Sequence, residues 1–238
     1  MAPTSHRADT PPASPGSDVA ISLEGIAKSF GFRDVLQGID LEVSQGSCLC
    51  VYGQNGAGKS TLARILGTMW APSRGKGRIL GQELGKGNRE IRRRSSMVSD
   101  QSFLRSELSL EENLVFYGSL YGVRDNRRAA DLLEQFGLYK RRKDQVSTFS
   151  QGMVKRANLA RSLLHDPDLW ILDEPFGGLD QEGQELLKEC VQGYSRTGRT
   201  VVLVTHLREI GDELATDSIE IVNGFLSTSH PAGHGGES

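Results

Sequence analysis

Residues 51–62 read Val-Tyr-Gly-Gln-Asn-Gly-Ala-Gly-Lys-Ser-Thr-Leu. Gly53, Gly58, Lys59 and Ser60 stand at the G-x-x-x-x-G-K-[ST] spacing of a phosphate-binding loop. Glycines let backbone N–H groups turn inward around an anion with no Cβ in the way. A helix starting near Gly58 adds its positive end. Lys59 would reach the β- and γ-phosphates of a nucleotide, and the Ser60 hydroxyl would hold Mg²⁺. Three polar groups follow apolar runs farther on: Asp173 and Glu174 after residues 169–172, and His206 after residues 200–204. A carboxylate ending a buried strand can hold Mg²⁺, which suits Asp173. Glu174 can then orient or deprotonate a water, and His206 can hydrogen-bond a γ-phosphate oxygen.

These groups need a scaffold that brings strand ends together. Residues 46–51 are apolar and β-branched at their end, as a buried strand should be, and 61–66 carry Leu and Ile at helical spacing. Residues 19–23 and 35–43 alternate apolar and polar, which predicts strands of an edge sheet. Between them lie Phe30 and Phe32 beside a glycine, as a base-stacking aromatic or a plain hairpin-end residue. After a loop and short strand at 72–81 come a charged helix at 90–94 and a strand at 96–99, ending in Asp100-Gln101. Ser109 is a good N-cap, with Glu111 and Glu112 in the first turn and Leu110, Leu114, Tyr117 and Leu120 at helical spacing up to Gly122. Helices at 126–136 and 150–164 complete an all-helical block, about 102–165, read as an inserted subdomain. The basic run 140–143 reads as a solvated face. From Asp168 the α/β alternation resumes: strand 169–172, helix 181–194, strand 200–204, helix 208–215, and a hairpin of 219–222 with 225–226 around Asn223-Gly224. Ligands of open α/β sheets bind at the C-terminal strand ends, where Asp173, Glu174 and His206 fall.

Composition narrows the classes. The chain has 238 residues, 37% hydrophobic, which suits one large α/β domain or one domain with an insertion. A formal net charge of -2 gives no reason to expect nucleic acid as a partner. No apolar run approaches the ~18 residues of a membrane span, and no signal peptide is legible. Cys48, Cys50 and Cys190 read as reduced core thiols, since no further ligands cluster near the Cys-x-Cys pair. Residues 1–18, rich in Pro, Ser, Thr and Ala, read as a disordered tail. Residues 227–238 read as a second tail, with His230 and His234 unstructured.

Taken together, residues 19–226 resemble the nucleotide-binding domain of an ABC transporter. The resemblance implies an α/β P-loop NTPase, with an ABC-ATPase core, an antiparallel edge sheet and an inserted helical subdomain. It makes residues 53–61 (Gly53, Gln54, Asn55, Gly56, Ala57, Gly58, Lys59, Ser60, Thr61) the Walker A loop. Residues 169–174 become the Walker B strand with Asp173 and the catalytic Glu174. Gln101 becomes the Q-loop glutamine, which touches Mg²⁺ and couples to the membrane partner. Phe149-Ser150-Gln151-Gly152-Met153 occupies the signature position, Leu179-Asp180 the D-loop, His206 the switch, and Phe30 the adenine-stacking aromatic. The usual signature is Leu-Ser-Gly-Gly-Gln, so Gln151 and Met153 are departures, although Ser150 and Gly152 are kept. Asp100 replaces a usual small or prolyl residue.

The resemblance implies ATP and Mg²⁺ as ligands and a head-to-tail pair of nucleotide-binding subunits, most simply a homodimer. Each ATP then lies between one subunit's Walker A loop and the other's Ser150 and Gly152, with the D-loop Asp180 also among the ATP-binding residues. It also implies a separate integral membrane permease, with this chain peripheral on the cytoplasmic face of the membrane. Docking is expected through residues 101–104 and the helix at 110–120, where Phe103, Leu104, Phe116 and Tyr117 concentrate. The runs Glu112-Asn113-Leu114-Val115-Phe116-Tyr117 and Leu169-Trp170-Ile171-Leu172-Asp173-Glu174-Pro175-Phe176, with the Phe-Ser-Gln-Gly-Met signature, are most similar to the haem exporter of cytochrome c biogenesis. They are shared with ABC-2-type drug or polysaccharide exporters. A soluble ABC ATPase acting on ribosomes or DNA is a third reading, and a P-loop kinase a fourth that leaves the signature and His206 without a role.

Overall fold

The computed structural model describes residues 19–123 and 126–227. The readings of residues 1–18, and of 228–238 with His230 and His234, lie outside the described residues. The chain opens with β1 (Val19–Phe30) and β2 (Arg33–Ser44), paired antiparallel across a tight turn at Gly31 and Phe32. Both strands run well past the alternating stretches of the sequence. The register shifts between Leu23 and Ile26, where Gly25 takes φ 59°, so the pattern of inward residues breaks while the ladder continues. β4 (Arg74–Ile79) pairs with the other side of β1, and β5 (Gln82–Glu83) closes this four-stranded sheet in the order β2-β1-β4-β5.

The second sheet carries β3 (Cys48–Tyr52), β6 (Ser95–Val98), β7 (Leu169–Asp173), β8 (Thr200–Val204), β9 (Asp217–Val222) and β10 (Phe225–Ser227), in the order β10-β9-β3-β8-β7-β6. Its pairs are parallel except β10 with β9, which turn at Asn223 and Gly224, both at positive φ. Every residue of β3, β7 and β8 is buried, as the apolar runs require of strands covered on both faces. Alternate side chains feed two cores. Leu49, Val51, Ile171 and Val202 join β1, β2 and the helix α1 (Lys59–Leu66). Cys48, Cys50, Trp170, Leu172 and Val201 join the helices on the other face. The three thiols are free and buried, and burial pushes each up to about 12, so they are neutral at physiological pH.

That second core takes its helices from α3 (Leu110–Leu120), α4 (Asn126–Gln135), α5 (Gln151–Ser162) and α6 (Gln181–Arg196). α2 (Asn88–Arg94) and α7 (Arg208–Leu214) are short connections. α3 starts in a capping box: the Ser109 hydroxyl accepts from Glu112 N, and the Glu112 carboxylate accepts from Ser109 N at 2.8 Å. Trp170, fully buried, donates its indole N–H to the Ser162 hydroxyl at 2.9 Å and ties the helical block to β7. Among the described residues no helix is long and apolar enough to cross a membrane. The mixed α/β sheet, the separate antiparallel sheet and the helical block are the layers expected from the sequence. β3, β8 and β7 are neighbours in the sheet, so their C-terminal ends deliver Gly53, His206 and Asp173-Glu174 to one edge.

Candidate functional site

The glycine loop between β3 and α1 is shaped by close approaches that a side chain would block. Gly53 has φ 144°, and a Cβ there would lie 2.4 Å from Ile221 O. Gly58 has φ 115°, and a Cβ would meet Leu36 Cδ2 at 2.7 Å and Val35 O at 3.0 Å. Gly58→Ala is therefore expected to lower stability by about 1–3 kcal/mol, from strain and overlap together. A thermal melt would read this as several degrees, and an unchanged Tm would contradict the packing. α1 begins with no side-chain cap and no acidic residue in its first turn, which leaves its N–H groups to an outside acceptor. Lys59, buried, donates to Gly53 O at 2.7 Å and Gln54 O at 3.1 Å, spanning the loop from within.

Ser60 Oγ donates to Asp173 Oδ1 at 2.9 Å, joining the loop to the end of β7. Burial holds Asp173 above the usual carboxylate range, and the Ser60 hydroxyl and Arg64 pull the other way. A buried carboxylate short of solvation, next to a hydroxyl oxygen, is a donor pair that a hard divalent cation relieves. Glu174 follows with φ 49°, a left-handed conformation that costs a non-glycine residue about 1–3 kcal/mol. Its N–H donates to Val204 O at 2.9 Å, and its carbonyl accepts from Lys155 Nζ at 3.0 Å. The turn takes its side chain out of β7 to a contact of 2.9 Å between Glu174 Oε2 and His206 Nδ1.

Phe30 ends β1, half exposed, with Trp70 edge-on at 5.0 Å and 70°. Lys28 sits over Phe30 and Arg64 over Trp70. Phe32 is fully exposed, so Phe30 is the braced aromatic of the turn. The same hairpin reaches the glycine loop, with Leu36 against Gly58 and the Arg33 guanidinium 4.0 Å from where a Gly56 Cβ would stand. Trp70 and Arg33 carry no motif, so the sequence offered no signal for either. Gln101 is exposed and makes no hydrogen bond among the described residues, to Ser60 and Asp173 or to any other. Its neighbours are held instead: Asp100 pairs with Lys155 at 3.5 Å and the Ser102 hydroxyl accepts from Asn158 at 3.0 Å.

Ser150 is the N-cap of α5, its Oγ accepting from Met153 N at 3.3 Å, and Asp180 is the N-cap of α6, accepting from Gly183 N at 3.0 Å. A Cβ on Gly152 would lie 3.2 Å from Gly178 O, so the first turn of α5 abuts the turn that leads into α6. Among the described residues no hydrogen bond joins Ser150, Gly152 or Asp180 to residues 53–61. The expected docking residues divide. Leu104, Leu110 and Leu114 are buried in the helical block, whereas Phe103, Val115, Phe116 and Leu120 are exposed. Tyr117 packs partly against the core and donates to Phe103 O.

The family model described as "ABC transporter" matches residues 36–177. The chain is 37% identical over 201 residues to the Nod factor export ATP-binding protein I of Rhizobium sp. (strain N33), covering 83% of this chain and 66% of that protein. It is 37% identical over 210 residues to the daunorubicin resistance ATP-binding protein DrrA3 of Streptomyces coeruleorubidus, covering 87% and 66%. It is 33% identical over 206 residues to the linearmycin resistance ATP-binding protein LnrL of Bacillus subtilis (strain 168), covering 85% and 66%. The aligned region thus spans just under two thirds of the length of each. A solved structure titled as the ATP binding subunit of an ABC transporter superposes with a TM-score of 0.84 at 28% identity, over 89% of this chain and 90% of that one.

Proposed function

Because the chain belongs to the ABC transporter family as an ATP-binding subunit, we propose that it hydrolyses ATP to drive export through a separate membrane permease. The observation that carries this reading is the convergence at one sheet edge: the glycine loop, the Ser60–Asp173 contact of 2.9 Å and the Glu174–His206 contact of 2.9 Å. The loop N–H groups and the Lys59 ammonium take the phosphate oxygens of ATP, the ammonium turning from the carbonyls of Gly53 and Gln54. Ser60 and Asp173 would hold Mg²⁺, which, when bound, offsets charge on the phosphate oxygens. Glu174 accepts the proton of a water whose oxygen attacks the γ-phosphorus, as the bond to the β–γ bridging oxygen breaks and ADP leaves. His206 steadies that carboxylate through Nδ1. Its Nε2, not used in that contact, would be free to hydrogen-bond a γ-phosphate oxygen.

Gln101 would move toward the cation and the permease when nucleotide is bound. Ser150, Gly152 and Asp180 would complete the site of a second copy, since among the described residues none of them hydrogen-bonds residues 53–61 of its own chain. ATP then belongs to the dimer interface, and loss of the γ-phosphate lets the two copies part. The permease would rest on the exposed Phe103, Val115, Phe116 and Leu120, at the cytoplasmic face.

For cargo, the relatives named for Nod factor export and drug resistance support an ABC-2-type drug or polysaccharide exporter over haem export. The run that carried the haem resemblance has an architectural use. Glu112 completes the α3 capping box, and Asn113, fully buried, exchanges hydrogen bonds with Arg105 N and O and donates to Ser109 O. Those residues serve any helix that starts this way and do not select a cargo. Deleting the gene decides between the two: raised drug sensitivity or loss of exported glycan is the expected result, and loss of haem-stained c-type cytochromes would reverse it. Purified protein should release phosphate from ATP to water. Transfer to an acceptor would mean a kinase, and cosedimentation with ribosomes rather than membranes a soluble ABC ATPase.

Phe30 is the residue for stacking on adenine, braced by Trp70. Trp170 is fully buried away from solvent, so nucleotide binding should register in Trp70 fluorescence. Phe30→Ala should weaken ATP binding by about five-fold to a hundred-fold, the range of ~1–3 kcal/mol for one base on one ring. An unchanged binding curve would remove Phe30 from the site.

A further inference from the structure

α5 grips both sides of the Gln101 loop and the exit of β7 with one face. Lys155 and Asn158 are three residues apart and so lie together on the helix surface. Lys155 reaches Asp100 before Gln101, Asn158 reaches Ser102 after it, and Lys155 also donates to the carbonyl of Glu174. The Lys155 side chain is 12% exposed, whereas Asp100 is 86% exposed. The lysine is therefore committed to the interior, and Asp100 is the solvent-facing half of the pair. Glu174 sits at φ 49°, where the backbone does not stay unless both of its peptide groups are held. Val204 holds its N–H side and Lys155 its C=O side.

We propose that Lys155 is a positioning residue for hydrolysis. By pinning the Glu174 carbonyl it keeps the Glu174 carboxylate turned toward His206 and the water, and through Asp100 it makes that alignment depend on the Gln101 loop. The same helix begins at Ser150 and Gly152, so a copy seated there would bear on Glu174 along a single rigid element. Lys155 acts through the Glu174 carbonyl and Asp100, so its effect falls on the turnover step. The inference rests on the proposed hydrolytic role of Glu174.

Lys155→Met removes the ammonium and keeps the length of the side chain. The expected result is a fall in kcat of about tenfold to a hundred-fold, the scale of a misplaced reacting group, with affinity for a non-hydrolysable ATP analogue within about twofold. The melting temperature should stay within a few degrees, and Lys155→Arg should recover most of the rate. A kcat equal to that of the unmodified chain overturns the proposal. So does a loss of kcat matched by an equal loss of analogue affinity or by a collapsed melt, or one that Lys155→Arg does not reverse. Glu174→Gln, assayed beside it, separates the two failures. If Glu174→Gln turns over normally, the hydrolytic reading itself falls; if it is inactive while Lys155→Met is fully active, only the role of Lys155 falls.

Discussion

Glu174→Gln should bind ATP normally and lose about 10²–10⁴-fold in turnover, the contribution of a positioned general base. The amide is close in size and can still hydrogen-bond His206, so the turn after β7 and its contact of 2.9 Å have no reason to collapse. It has no basic oxygen to take the water's proton. Hydrolysis is then the step that fails, and ATP-bound subunits should accumulate as a dimer visible by size-exclusion chromatography. Single-turnover kinetics with excess enzyme decides the case, because product release drops out of the measurement. Near-normal single-turnover hydrolysis would mean that another group takes the proton.

The second expected result comes from mixing two inactive variants. Lys59→Ala loses the ammonium that spans the glycine loop, and Ser150→Arg replaces the cap of α5 with a side chain too large for a phosphate to approach. Each homodimer carries two defective sites. In a heterodimer one site combines both lesions, while the other pairs the intact loop of one chain with the intact Ser150 of its partner. Random mixing yields half heterodimers with one good site each, so activity should return to on the order of a quarter of the unmutated rate if the sites act independently. No recovery, under conditions where heterodimers demonstrably form, would remove the head-to-tail arrangement. Recovery would show that Ser150 acts in trans, consistent with its hydroxyl, among the described residues of its own chain, serving only the α5 cap.

Much of this site is legible in the sequence, for local reasons. The glycine loop is a contiguous pattern whose spacing encodes its own backbone path. Gly53 and Gly58 sit at φ values that few other residues tolerate, which is why the motif is visible at all. The fully apolar runs of β7 and β8 announced strands buried on both faces, and so placed Asp173 and His206 at strand ends. The length of β1 and β2 was less legible, because the bulge at Gly25 interrupts the alternation that a sequence reader relies on.

Other features needed the tertiary structure because they join residues with no shared pattern. Trp70 braces Phe30 from across a loop, and Arg33 meets Gly56 only because the two sheets meet at that corner. The exposed and buried halves of the expected docking residues depend on which way α3 is rolled, so Leu104 proved to be core and Phe103 surface. By itself the sequence determined the phosphate loop, the buried strands that feed it and the carboxylates after the strand 169–172, since local spacing and hydrophobic period encode each of these, whereas the order of those strands in the sheet came from the tertiary structure. Only the tertiary structure decided how Glu174 is held, with Val204 on one side and Lys155 on the other. The physical reason is that a left-handed backbone at a non-glycine residue leaves no mark in composition or period, and the contacts that sustain it come from elements far away in the chain.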